Sequence, residues 1–165
     1  MASGQAVIGF DGTAAAERAV REAAGLLAPR RALVVVAIEE GATFGAVLAP
    51  VLVGGLPATE LEIRNAVRAE EAEIEQAVHL ARKGAALAHE VGLEAESLVV
   101  SDDVSVALTL LRVADERDAS VIVVGAHRRG ALSRLLLGST AEDVLKRARR
   151  PVLVVRDPEK EVARD

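Results

Sequence analysis

Residues 121–156 read VIVVGAHRRGALSRLLLGSTAEDVLKRARRPVLVVR, and this stretch decides the fold. Its two runs of branched apolar residues, VIVV and VLVV, predict buried strands, and the spacing between them predicts a helix. Gly125 lets the chain leave the first of these strands. Gly138, Ser139 and Thr140 open the helix. Because the first amides of a helix carry partial positive charge, the stretch predicts an anion-binding loop.

The same alternation of strand and helix runs along the rest of the chain. Short runs rich in valine, isoleucine and leucine predict five strands, at 6–10, 32–38, 94–100, 120–125 and 151–156. Helical spacing predicts one helix after Thr13, one from Thr59 to Val91, one capped by Asp102 or Asp103, and one from Ser139 to before Pro151. Nearly unbroken apolar strands are buried on both faces, so the pattern predicts a doubly wound α/β sandwich around a parallel sheet.

Length and composition favour one domain over residues 1–157, followed by a polar tail at 158–165. The chain has 165 residues, 51% of them apolar, and a net charge of -5. Its basic residues are scattered or lie near helix ends, so we expect no nucleic-acid partner. Without cysteine there are no disulfides and no thiolate metal sites. The first residues, MASGQAVIGF, lack the pattern of a secretion signal, so we expect a cytoplasmic protein.

Residues 39–58, EEGATFGAVLAPVLVGGLPA, interrupt the alternation and predict a long apolar loop. The segment is too short and too rich in glycine and proline to span a bilayer, so we expect no membrane insertion. Two interpretations stay open. The loop folds over its own domain, or residues 44–56 form an exposed apolar patch for contact with a second copy or another protein.

The candidate ligand site lies beyond the carboxyl ends of the strands. In open sheets ligands bind there, at the point where neighbouring connections leave on opposite faces. If the first and fourth strands are neighbours, Asp11, Ile38, Val124 and Gly125 line one crevice. Asp11 also has a purely structural interpretation, because Asp-Gly before Thr13 is favourable turn and capping chemistry.

Ser139 likewise has two interpretations. It contributes to anion binding at the start of the last helix, or it forms a capping box with Glu142, which closes a helix start without any ligand. Thr140 and Asp143 repeat the capping pattern one residue later.

The segments VIGFDGTAAAERAVREAAGLLA and GAHRRGALSRLLLGSTAEDVLKRARRPVLVVR closely resemble the universal stress protein family. The resemblance covers the chain except the apolar loop and the tail. It implies strand order 3-2-1-4-5, a homodimer and, in one subclass, ATP held by a loop of the form G-x-x-G, nine residues, then G-S or G-T. It implies that Asp11 meets the adenine and that Ile38 and Val124 form apolar walls beside the base. It implies that the phosphate and ribose contacts come from Gly125, Gly138, Ser139 and Thr140.

Arg128 departs from this family pattern, since it occupies the position of the second motif glycine. If that position requires a left-handed backbone, arginine costs roughly 1 to 2 kcal/mol there, and its side chain fills space meant for phosphate. Alternatively, the Arg128 guanidinium itself binds phosphate oxygens. We therefore expect a regulatory protein that binds ATP, with or without Mg²⁺, or a related adenine nucleotide. The alternative is a dimeric interaction module in which Arg128 blocks the phosphate site.

Other chemistries find less support in the sequence. The chain has neither a P-loop motif nor a G-x-G-x-x-G turn after its first strand. His79 and His89 are ten residues apart on one predicted helix, which is too far for a metal-binding pair. We expect that the protein is not an enzyme, and the sequence leaves open a weak hydrolysis of ATP. The fifth strand, at the edge of the predicted sheet, predicts a homodimer through pairing with its copy.

Overall fold

The computed structural model describes residues 4–27, 31–38, 42–101, 105–126 and 138–156. The strands within these residues are β1 (Gln5–Gly9), β2 (Arg31–Ile38), β3 (Glu94–Ser101), β4 (Val121–Ala126) and β5 (Val152–Arg156). The helices are α1 (Ala14–Leu26), α2 (Ala42–Leu52), α3 (Glu60–Glu90), α4 (Val106–Glu116) and α5 (Ser139–Arg147). None of these helices is both long enough and apolar enough to cross a membrane.

The five strands form one parallel sheet in the order β3-β2-β1-β4-β5. This confirms the predicted fold class and strand order. The central strand β1 pairs with β2 on one side and with β4 on the other. Because β1 and β4 are neighbours, the carboxyl end of β1, which Asp11 follows, lies beside the carboxyl end of β4, which contains Gly125.

Two apolar cores cover the two faces of the sheet. Helices α1 and α3 pack on one face and helices α4 and α5 on the other. Ile8 and Val7, neighbours on β1, are both fully buried and belong to these opposite cores. A strand that buries both faces needs apolar residues at nearly every position, which is why the inner strands β1, β2 and β4 lack a polar alternation.

Helix α3 confirms the long helix predicted between Thr59 and Val91. Thr59 and Glu62 form a capping box, in which the Glu62 amide donates to Thr59 Oγ1 at 3.3 Å and the Thr59 amide donates to Glu62 Oε2 at 2.7 Å. The bond from the Thr59 amide, and a second one that Thr59 Oγ1 donates to Glu62 Oε2 at 2.7 Å, lower the pKa of Glu62. At its other end Gly92 takes a left-handed conformation, with φ +87°, and closes the helix.

The prediction of a loop over residues 39–58 is wrong for much of its length, because α2 occupies Ala42–Leu52. Proline and glycine suggested a loop, but Pro50 lies in the last turn. Gly54 ends the helix in a left-handed conformation, with φ +85°. The Gly54 amide donates to the Val51 carbonyl at 3.2 Å, and the Gly55 amide donates to the Pro50 carbonyl at 2.7 Å. Residues 39–41 lie outside the described part of the chain.

The predicted start of α4 is also wrong. Ser105 is the N-cap, and its Oγ accepts from the Leu108 amide at 3.2 Å. Asp102 and Asp103, the predicted caps, lie outside the described residues. Serine and aspartate are both favoured N-cap residues. The sequence alone therefore does not decide between Ser105 and the two aspartates, because the position of the cap depends on where the preceding strand ends.

Candidate functional site

The carboxyl ends of β1 and β4 form a topological switch point. From β1 the chain enters α1, which packs on one face of the sheet, whereas the helix that follows β4 is α5, which packs on the other face. The two connections therefore diverge and leave a crevice between them. Such a crevice is the usual ligand site in open α/β sheets.

A cavity of about 370 Å³ lies at this point. The ends of β1, β2 and β4 form its floor, and helices from both faces of the sheet supply its walls. Among the residues that the sequence singles out, it is lined by Asp11, Ile38, Val124, Gly125 and Thr140. The fold thus brings together residues that lie up to 129 positions apart, counted from Asp11 to Thr140.

Asp11 lines the cavity and also takes part in the turn that precedes α1. Its Oδ1 accepts from the Thr13 amide at 3.0 Å and from Thr13 Oγ1 at 2.5 Å. Thr13 Oγ1 in turn accepts from the Ala16 amide at 3.3 Å and caps α1. The turn interpretation of Asp11 is therefore correct, and it holds the carboxylate in a fixed position at the cavity wall.

Gly125 has a different local role from the one expected. It lies within β4, opposite Val155 of β5, so the strand continues past it to Ala126. A Cβ atom at this position would lie 2.6 Å from the carbonyl carbon of Ala15 and 2.8 Å from the Ala16 nitrogen. The position therefore requires glycine because β4 and the first turn of α1 approach closely beside the cavity.

Thr140, in the first turn of α5, lies at the opposite wall, whereas the predicted site residues Gly138 and Ser139 do not line the cavity. Gly138 is the N-cap, with φ +87°, and as a glycine it has no side chain with which to cap the helix. Of the two interpretations of Ser139, the capping box with Glu142 is therefore wrong, and Glu142 Oε1 accepts instead from Lys146 Nζ at 2.7 Å. Thr140 lines the cavity, so the positive end of this helix dipole lies at the cavity wall.

Helix α3 supplies a wall that the sequence analysis missed. Glu73, Gln76, Ala77 and Leu80 line the cavity from one helical face. Their spacing of three and four residues is the signal that was available, because it continues the apolar stripe that packs on the sheet. Leu80 also packs over the turn at Gly12, where φ is +76° and a Cβ would lie 2.7 Å from Leu80 Cδ1.

An ion pair joins the two helices on this side of the cavity. Lys83 Nζ of α3 lies 2.8 Å from Glu17 Oε1 of α1. The hydrogen bond and the charge of Lys83 lower the pKa of Glu17. The Lys83 side chain is exposed and that of Glu17 is partly exposed, so the pair contributes little to the stability of the fold.

The described residues do not include every residue that the predictions about phosphate and metal binding concern. Arg128 lies outside them, so its effect on phosphate binding stays a prediction. Within the described ranges, no group of three or more His, Asp or Glu side chains is arranged to hold a metal ion.

A parallel sheet in this order, with helices on both faces and a cavity at its switch point, defines a doubly wound α/β protein. The sequence model of the universal stress protein family matches residues 4–156. The chain therefore belongs to the universal stress protein family, as the resemblance indicated.

Curated relatives match over a shorter segment. A universal stress protein of Methanocaldococcus jannaschii is 46% identical over 52 residues, and a second from the same organism is 36% identical over 47 residues. These matches span 31% and 29% of the length of the two relatives.

Solved structures match over nearly the whole chain. The universal stress protein from Archaeoglobus fulgidus has a TM-score of 0.69 at 23% identity, covering 92% of this chain and 97% of its own. The structure of the universal stress protein from that organism in complex with dAMP has a TM-score of 0.65 at 22% identity, covering 94% and 99%. A family protein from Arabidopsis thaliana with AMP bound has a TM-score of 0.58 at 12% identity, covering 98% and 97%. At these identities the similarity establishes the fold.

Proposed function

We propose that the protein is a cytoplasmic regulatory protein that binds an adenine nucleotide in the switch-point cavity, with little or no turnover. The observation that carries the proposal is the joint lining of one cavity by Asp11, Ile38, Val124, Gly125 and Thr140. Apolar walls beside the strand ends suit a base, and a helix start without a side-chain cap suits a phosphate.

The relatives support the choice of ligand. Two of the solved structures with this fold contain dAMP or AMP. We propose ATP as the nucleotide bound by this chain, with AMP and other adenine nucleotides as alternatives. Any Mg²⁺ would enter with the phosphates, because the described residues offer no metal cluster of their own.

The first experiment is a calorimetric titration of nucleotide-free protein with ATP and with AMP, beside the Arg128→Gly variant. We expect ATP to bind the wild-type chain. Tighter binding by the variant would identify Arg128 as an obstruction, and weaker binding would identify it as a phosphate ligand. Absence of binding by both proteins would contradict the proposed function.

A second candidate function is that of an interaction module, and a specific surface favours it. The end of α2 and the start of α3 expose apolar side chains; we call this the α2–α3 surface, formed by Val51, Leu52, Val53, Leu56 and Leu61. Leu52, Val53 and Leu56 are more than 80% exposed. Apolar side chains exposed together in this way are typical of protein contacts.

We propose that the protein is a homodimer through β5 and that the α2–α3 surface contacts a partner protein. β5 is an edge strand, so one side of its backbone faces away from the sheet. Light scattering at micromolar concentration should therefore give twice the monomer mass, both for the wild type and for Leu52→Glu with Leu56→Glu. A monomer in both would contradict the dimer, and a monomer only in the variant would place the dimer contact on the α2–α3 surface.

A further inference from the structure

Two polar side chains of α3, Glu73 and Gln76, line the cavity at the end farther from α5. Helix α3 packs against β2 and β3, whereas α5 packs against β4 and β5. Since the strand order is β3-β2-β1-β4-β5, the cavity runs across the carboxyl ends of β4, β1 and β2 between these two helices. Glu73 and Gln76 are one helical turn apart, so both reach the cavity from the same face of α3.

The two ends of the cavity have opposite electrical character. The wall made by α3 carries the carboxylate of Glu73, whereas Asp11 and the start of α1, whose dipole is also positive, lie between the two ends. The opposite wall holds Thr140 in the first turn of α5, where the helix dipole is positive. A phosphate group is repelled from the first wall and attracted to the second, so a bound nucleotide is oriented with its base toward α3.

Resting on the proposed function, we infer that Glu73 and Gln76 recognise the base through its exocyclic amine. An ionised carboxylate only accepts hydrogen bonds, so Glu73 binds the amine, which is the only donor on the adenine base of a nucleotide. The Gln76 amide both donates and accepts, so it pairs with a ring nitrogen beside that amine. The pair makes the cavity selective for a purine with a donor at this position.

The test compares AMP with purine riboside 5′-monophosphate, which has a hydrogen in place of the amine and is otherwise the same. Calorimetry measures both affinities for the wild type, for Glu73→Ala and for Glu75→Ala. The Glu75→Ala substitution is the control, because it removes the same charge from an exposed position on α3 that does not line the cavity. All three proteins share the same buried core, because both glutamates are exposed.

We expect the wild type and Glu75→Ala to prefer AMP by roughly tenfold, the size of one hydrogen bond to a charged group. In Glu73→Ala the ratio of the two affinities should fall close to one. Equal binding of the two ligands by the wild type, or a ratio that Glu73→Ala leaves unchanged, would overturn the inference and leave the proposed function intact. Weaker binding of both ligands to the same degree would show that Glu73 contacts the ribose, which also overturns it. Failure of both ligands to bind any of the three proteins would remove the proposed function, and this inference with it.

Discussion

Gly125→Ala is expected to lower the free energy of unfolding by about 3 kcal/mol, the upper range for overpacking a core. The added Cβ would lie 2.6 Å from the Ala15 carbonyl carbon and 2.7 Å from the Ala15 oxygen. Both contacts are with backbone, so no change of side-chain rotamer relieves them. Either β4 or the first turn of α1 must shift, and both contribute to the cavity. Chemical denaturation measures the loss of stability.

Gly25→Ala is the matched control for this substitution. Gly25 lies in α1, is exposed, and has no atom within 4 Å of an added Cβ. Alanine should therefore stabilise the protein there, by about 0.4 to 1 kcal/mol, because it reduces the freedom of the unfolded chain. If Gly125→Ala changed stability by no more than about 0.5 kcal/mol, the close approach of β4 and α1 would not exist in solution.

Thr140→Glu is expected to weaken nucleotide binding by about 100-fold or more while leaving the fold slightly more stable. A carboxylate in the first turn of α5 interacts favourably with the helix dipole, by about 0.3 to 1 kcal/mol. The same carboxylate repels a phosphate at this wall, since two like charges about 4 Å apart cost about 4 kcal/mol at a partly exposed site. Titration with ATP and thermal unfolding measure the two opposite effects.

Leu61→Glu provides the control for an added charge. Leu61 is the second residue of α3 as Thr140 is the second residue of α5, and it is exposed and lies outside the cavity lining. This variant should bind ATP with wild-type affinity. Equal affinities in Thr140→Glu and Leu61→Glu would mean that phosphate does not bind at the start of α5.

The sheet could be predicted from sequence because its three inner strands, β1, β2 and β4, are short apolar runs buried on both faces. Short apolar runs that alternate with amphipathic helices are typical of buried parallel strands. The residues at the ends of these strands then share one edge of the sheet, which is why Asp11, Ile38 and Val124 could be grouped before any coordinates were known. Their role in binding a nucleotide stays a prediction.

Helix α2 could not be predicted because it lacks the features that mark a helix. Its sequence, ATFGAVLAPVL, is apolar all round and contains both glycine and proline, so it shows no amphipathic period. The α3 wall was missed for another reason. Glu73 and Gln76 occupy polar positions of a long helix, and only the packing of α3 over β2 determines which of its turns meets the cavity.

The most direct test of the account follows the backbone amides by two-dimensional NMR while AMP is added to nucleotide-free protein. We expect the largest shift changes at Gly125, Ser139 and Thr140, with smaller ones at Asp11, and none at Gly25 or Leu61. Unchanged amides around the switch-point cavity at saturating AMP, or changes confined to another part of the chain, would contradict a nucleotide site at this position.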